Sequence, residues 1–113
     1  PHFTYAWKKF AQLQSKLGGD AMIGIKLFDR VKKCGFREIS ISLSPEIHSA
    51  DTPSFRPWIE NLIGNLQSAE RKLVESNLLT QSEYQNAIEE LSEFVEHPYA
   101  STYFAWNRLE AIK

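Results

Sequence analysis

The apolar positions of this chain recur at two periods, and the switches between them set out its elements. Phe3, Trp7, Phe10, Leu13 and Leu17 are three and four apart, an amphipathic helix over about 3–17 that Gly18-Gly19 ends. Asp20 stands where it can cap a second helix, predicted over about 21–34, in which Ile25, Leu27, Phe28 and Val31 share one side. Lys32 and Lys33 fall in its last turn, Gly35 takes the left-handed position after it, and Phe36 closes the stop. The period then changes to two. Ile39, Ile41 and Leu43 alternate with Ser40 and Ser42, a strand over about 37–44.

The stretch SPEIHSADTPS that follows reads as a loop by composition, with Asp51 or Thr52 before Pro53 as a helix start. Phe55, Ile59, Leu62, Leu66, Ala69 and Leu73 keep helical spacing through a third helix, about 53–77, and Asn77-Leu78-Leu79 ends it. Thr80 and Glu83 form a capping box, T-x-x-E, for a fourth helix over about 81–96. Its stripe is Tyr84, Ala87, Ile88, Leu91, Phe94 and Val95, and the short connection predicts that the third and fourth helices form an antiparallel hairpin. A last strand, about 102–111, is apolar on both faces through Tyr103, Phe104, Ala105 and Trp106, which points to an interior strand. The order is helix, helix, strand, helical hairpin, strand, an α/β arrangement in one domain. Two strands alone make a marginal sheet in water, so the pattern asks for further neighbours.

Composition narrows this picture. The chain has 113 residues and is 42 % hydrophobic, enough to build a core. A net charge of −1 argues against a general nucleic-acid binder. The charge is uneven: residues 1–37 hold eight Lys/Arg against two Asp/Glu, and residues 38–113 hold five against twelve. Two solvated faces account for this, as would electrostatic docking within or between chains. Cys34 is the only cysteine, so an intrachain disulfide and a cysteine metal cluster are excluded, and its place before Gly35 suits packing. No run approaches a membrane span and no signal peptide is evident, which makes the cytoplasm the default location.

IGIKLFDRVKKCGFREISI, the FRPWIENLI helix and the capped acidic helix ending at HPYASTYFAWNRLEAI resemble the C-terminal portion of class I S-adenosylmethionine-dependent methyltransferases. Within that class the resemblance is to the small-molecule enzymes of the ubiquinone/menaquinone-biosynthesis type. It covers about Phe10 to Ile112, with FRPW-x-EN and FAWNR its more specific motifs. The resemblance implies the C-terminal part of a Rossmann-like sheet, in which a final antiparallel strand slots between two others and a helical insertion covers the acceptor pocket. It implies S-adenosylmethionine as the parent enzyme's cofactor. The cofactor site of the family needs a glycine-rich turn after the first strand and an acidic residue ending the second. Glycines occur here only at 18, 19, 24, 35 and 64, and none forms G-x-G after a strand. No cofactor binding is therefore expected of this chain by itself.

On this resemblance the substrate-side candidates are Tyr5, His48, Arg56 and Trp58, with Trp7 and Phe55 beside them in apolar stripes that suit a core. Arg56 and Trp58 lie off the main stripe of the third helix, where a pocket or an interface would use them. His48, in the expected loop, suits either a general base or a solvated side chain. His2 and His97 suggest no ligand pair, and Glu89, Glu90, Glu93 and Glu96 read as the wet face of the fourth helix. A free N-terminal proline acts as a base in some enzymes, but those open with a strand, whereas residues 3–17 read as a helix. The rival reading is a non-catalytic interaction module. For either, the free edge of the final strand predicts a homodimer, joined through that strand or by exchanged helices.

Overall fold

The computed structural model describes all residues, Pro1–Lys113, as four α-helices and a two-stranded antiparallel sheet. The elements are α1 (His2–Lys16), a 3₁₀ turn (Ile23–Lys26), α2 (Leu27–Lys33), β1 (Arg37–Ser49), α3 (Phe55–Glu75), α4 (Gln81–Glu96) and β2 (Ser101–Ile112). The α/β order expected from periodicity is the order found.

Helices α1, α3 and α4 make one layer. Their stripes meet in the core, where Ala6, Ile59, Leu66, Leu73 and Ala87 are fully buried. α3 and α4 run antiparallel. Phe55 at the start of α3 packs edge-on against Phe94 late in α4, 5.6 Å between centroids, while Gln81 at the start of α4 donates to Glu70 late in α3. Asn77 ends α3 in the left-handed region at φ 57°, and the N–H groups of Leu78 and Leu79 both return to the Leu73 carbonyl. The capping box is formed as expected: Thr80 Oγ1 accepts from the Glu83 N–H at 3.1 Å, and Glu83 accepts from the Thr80 N–H at 2.8 Å.

Four expectations need correction. The second helix is not continuous over 21–34. Asp20 accepts from the Met22 N–H and pairs with Lys26, and a tight turn follows before α2 begins at Leu27. Gly24 lies in this turn, beside the end of the Asn107 side chain. The stop is as read: Gly35 has φ 85°, and the Phe36 N–H returns to Val31.

Second, β1 does not end at residue 44 but runs through Pro45 to Ser49. The reason lies in the register. Ala50 N–H donates to the Ala100 carbonyl, so the even-numbered positions 48, 46 and 44 are the hydrogen-bonded pairs with 102, 104 and 106. Pro45, opposite Ala105, sits in a non-bonded pair, where its nitrogen points to the outer edge and costs the ladder nothing. Third, the start of α3 is Ser54. Thr52 instead closes the preceding turn by bonding Ser49 through its hydroxyl.

Fourth, β2 is not interior within this chain. It pairs only with β1, and its other edge is free. The sheet's two faces also differ. The even face, with Glu46, His48, Thr102, Phe104 and Trp106, looks toward the helical layer. The odd face is exposed at Ile41, Leu43, Ile47 and Tyr103, with Leu43 and Ile47 63 % and 67 % exposed, and half-buried at Leu109. A bulge between Arg37 and Ser40, with Glu38 at φ 51°, sets this parity. Alternation placed the strand, and the face it turns to the helices is the polar one.

Candidate functional site: an aromatic cleft backed by a carboxylate–histidine relay

Between α1, α3 and β2 lies a cleft of about 560 Å³. Each wall follows from a local periodicity. Trp7 and Phe10, three apart on α1, stack at 5.0 Å and 18°. Phe104 and Trp106, two apart on β2, share the inward face with rings 4.8 Å apart and nearly perpendicular. Trp58 of α3 meets Phe104 at 5.3 Å and closes the back. Asn61 and Asn65, along the same side of α3, add polar groups, and Asp20 and Gln14 complete one rim. All three tryptophans of the chain line this single cleft.

Behind the wall runs a chain of hydrogen bonds. The Trp106 indole N–H donates to Glu46 at 2.6 Å. The other Glu46 oxygen lies 2.9 Å from His48 Nε2, and His48 Nδ1 lies 2.7 Å from the Ser54 hydroxyl. The Trp106 N–H, and after it His48, hold the Glu46 carboxyl below its ordinary value, against a smaller opposing effect of burial. An ionised Glu46 only accepts, so Nε2 donates to it, and the Ser54 hydroxyl is the partner of Nδ1. Ser54 stands at the N-cap of α3, yet its side chain caps no helix N–H because His48 has taken it.

His48 therefore corrects the loop expectation. It lies on β1, is 6 % exposed, and its ring stacks on Trp58 at 5.0 Å and 17°. Both ring nitrogens are engaged, so its part in the site is to fix Trp58 in place. The structure brings together His48 and Trp58 among the four substrate-side candidates. Arg56 points elsewhere, to Glu96 on α4 at 2.5 Å. Tyr5 is exposed, with Lys9 Nζ 5.3 Å from its ring centre. Of the expected core pair, Phe55 is buried and Trp7 is half-buried at the cleft.

Sequence reasoning missed Glu46, Ser54, Phe104 and Trp106 as site residues. The signal was present: once β1 is extended through Pro45, Glu46 and His48 fall on one face, opposite Phe104 and Thr102. It also took the glutamates of α4 for a uniformly wet face. Glu90 accepts from the His2 and Phe3 N–H groups and so caps α1. Burial opposes ionisation of Glu90, but the Phe3 N–H, the Pro1 amine and the His2 N–H together outweigh it and hold its carboxyl below the usual value. No group of three His, Cys, Asp or Glu is placed to hold a metal ion, and no helix is long and apolar enough to cross a membrane. No protein-family model matches the chain, and no curated protein matches it.

Proposed function

We propose that this chain is the substrate-side, C-terminal portion of an S-adenosylmethionine-dependent methyltransferase acting on a small molecule in the cytoplasm. The observation that carries the reading is the incomplete cover of the sheet. β1 and β2 have one free edge each, and Ile41, Leu43, Ile47 and Tyr103 on the odd face are at least half exposed. The size of that deficit is large. A folded chain of 13.0 kDa exposes about 6,300 Å² by the usual scaling, whereas this one exposes 7922 Å². Its radius of gyration is 17.0 Å against about 13 Å for a compact domain of this length. The excess, about 1,600 Å², is about twice the roughly 800 Å² that one partner buries in a standard-size protein interface. A Rossmann-like sheet, with further strands at the edge and helices on the second face, would supply that cover.

The antiparallel β1–hairpin–β2 connection supports the same reading, as do FRPW-x-EN at the head of α3 and FAWNR on β2, which both contribute to the cleft. The residues of this chain do not fit the cofactor itself. β1 is followed by ADTPS, which has no glycine, and the glycines stand at helix ends, in the 3₁₀ turn and within α3. No step through S-adenosylmethionine is derived from them. What the cleft offers is alignment of an acceptor between aromatic faces and exclusion of water.

The test is methyl transfer from labelled S-adenosylmethionine by protein carrying any sequence upstream of Pro1. Activity lost on Trp58→Ala, with folding retained, supports the proposal. For the 113-residue chain alone we predict no calorimetric signal with S-adenosylmethionine, and saturable micromolar binding would overturn the assignment.

The free edge of β2 also favours a second reading, a homodimeric interaction module. Tyr103, Ala105 and Asn107 occupy non-bonded pairs, so their N–H and C=O groups point outward and can pair with a second copy. Ala105→Pro removes an outward donor and leaves the β1–β2 ladder intact. Light scattering should then show a dimer that becomes a folded monomer. A wild-type monomer at micromolar concentration would sink this reading.

A further inference from the structure

A second cavity, of about 400 Å³, lies between the head of α1, the first two turns of α3, the far half of α4 and the start of β2. Leu62 is the one residue it shares with the aromatic cleft. Its walls are mainly carbon: Phe3, Leu62 and Phe94 are half-buried, and Ile59 and Leu91 are buried. Four residues bring polar groups to it, and three of these have partners or water. The Glu90 carboxylate takes the N–H groups of His2 and Phe3. Glu93 is exposed on α4, and His97 Nδ1 accepts from the Tyr99 N–H at 3.3 Å. The fourth is Thr102, on the even face of the sheet that looks toward the helical layer. Its hydroxyl oxygen is shut off from solvent and bonds no group of the protein, the only buried side-chain polar atom of the chain in that state. Such a group gives up its hydration on folding and gains nothing in exchange.

We infer that this cavity is a binding site for a small neutral molecule that carries an apolar ring and one hydroxyl group, with that hydroxyl paired to Thr102 Oγ1. A threonine hydroxyl both donates and accepts, as an alcohol or a phenol does. Folding has already stripped water from Oγ1, so the bond to a ligand recovers a loss that binding itself does not incur. Thr102 as a whole is only half-buried, and rotation about its one side-chain torsion brings the hydroxyl to the open side without moving the strand. The other walls favour carbon surface. The carboxylates of Glu90 and Glu93 disfavour an anion, since like charges brought together repel. A cavity of about 150 Å³ takes a benzene ring, so this one has room for a substituted ring. The site uses neither the cofactor nor the tryptophans of the cleft, so its failure and the failure of the methyltransferase reading are separable.

The probes are para-cresol and toluene, which differ by the hydroxyl alone, and para-toluate, which is an anion of the same ring. In a nuclear magnetic resonance titration of the chain, para-cresol should shift the Thr102, Ile59 and Leu91 signals saturably and bind about tenfold tighter than toluene. Para-toluate should leave those signals unmoved. Thr102→Val keeps the shape of the side chain and removes the hydroxyl. Para-cresol should then bind no better than toluene, while toluene binds as it does to the wild type. A second readout needs no ligand: because the hydroxyl bonds nothing in the free chain, Thr102→Val should leave the thermal unfolding midpoint unchanged or raise it. Equal binding of para-cresol and toluene to the wild type, no saturable shift at millimolar para-cresol, or a lowered midpoint for Thr102→Val would each overturn the inference.

Discussion

The helical layer and the sheet of this chain treat apolar surface in opposite ways. In α1, α3 and α4 the stripes face one another, and Ile59, Leu66 and Leu73 are shut off from solvent. In the sheet Ile41, Leu43 and Ile47 are at least half exposed, and so is Trp106 on the other face, where the contact with the helices is made by His48 and Phe104 against Trp58. The helical layer is finished by its own residues. The sheet is covered only in part, around His48 and Phe104 where it meets α3. The cleft lies at the boundary: helices with a shared core carry Trp7 and Trp58, and the strand that faces them brings aromatic side chains without filling the space between. It also shows that apolar alternation identifies a strand without saying which side the chain itself can cover.

The contrast is most sharply tested by equal truncations on its two sides. Leu73→Ala removes a fully buried side chain and should cost about 3 kcal/mol in denaturant unfolding, whereas Ile47→Ala on the open face should cost less than about 0.5 kcal/mol. Comparable losses at both positions would mean that the odd face is covered in solution. Concentration dependence of the Ile47 effect would then show whether a second copy covers it.

The next effect lies where the two regions meet. Ser54→Ala leaves the Nδ1 of a buried His48 without its hydroxyl partner, so a loss of about 1–2 kcal/mol is expected. The Trp58 ring should loosen with it, visible as greater tryptophan mobility. Unchanged stability would indicate that water replaces the hydroxyl without cost. Inside the helical layer, Thr80→Ala breaks a capping box whose two bonds are both formed, with an expected loss of about 1 kcal/mol and no change at the cleft. A change in Trp58 mobility on Thr80→Ala would break the separation between the regions.

How far the sequence revealed these features follows the same division. α4 was legible to the residue, because a capping box fixes its start and Pro98 follows its end. α1 and α3 were placed to within one or two residues, since their stripes are long and their partners lie within the chain. The second helix was misread because Asp20, taken as its cap, instead closes a turn by accepting from the Met22 N–H and pairing with Lys26. The far half of β1 was hidden by Pro45, whose harmlessness depends on a pairing register visible only with β2 in place. The site suffered from the same error. With residues 44–49 read as a loop, Glu46 and His48 had no common face, and the relay could not be seen. Trp58 and His48 were singled out individually, but their stacking needed both elements in register.

The smallest effect expected is a pH dependence that belongs to the boundary alone. Glu46 titrates below its ordinary value of 4.5 in the folded chain, first because it accepts the Trp106 N–H and then because it faces His48. A carboxyl whose folded value is depressed contributes stability that is fully present above its unfolded value and is lost as pH falls through the folded one. Glu90 and Asp20 are shifted in the same direction, so acid destabilises the wild-type chain through several groups at once. The difference between wild type and Glu46→Gln isolates the one that joins sheet to cleft. The two proteins should differ most near neutral pH and converge as pH drops below 4.5, with Trp106 emission changing over the same interval only in the wild type. The exposure of Glu46 keeps this contribution small, because solvent screens a surface carboxylate. Parallel acid limbs for the two proteins, with identical tryptophan emission, would show that the Trp106–Glu46–His48 relay does not persist in solution, and the rigid aromatic wall would lose its support.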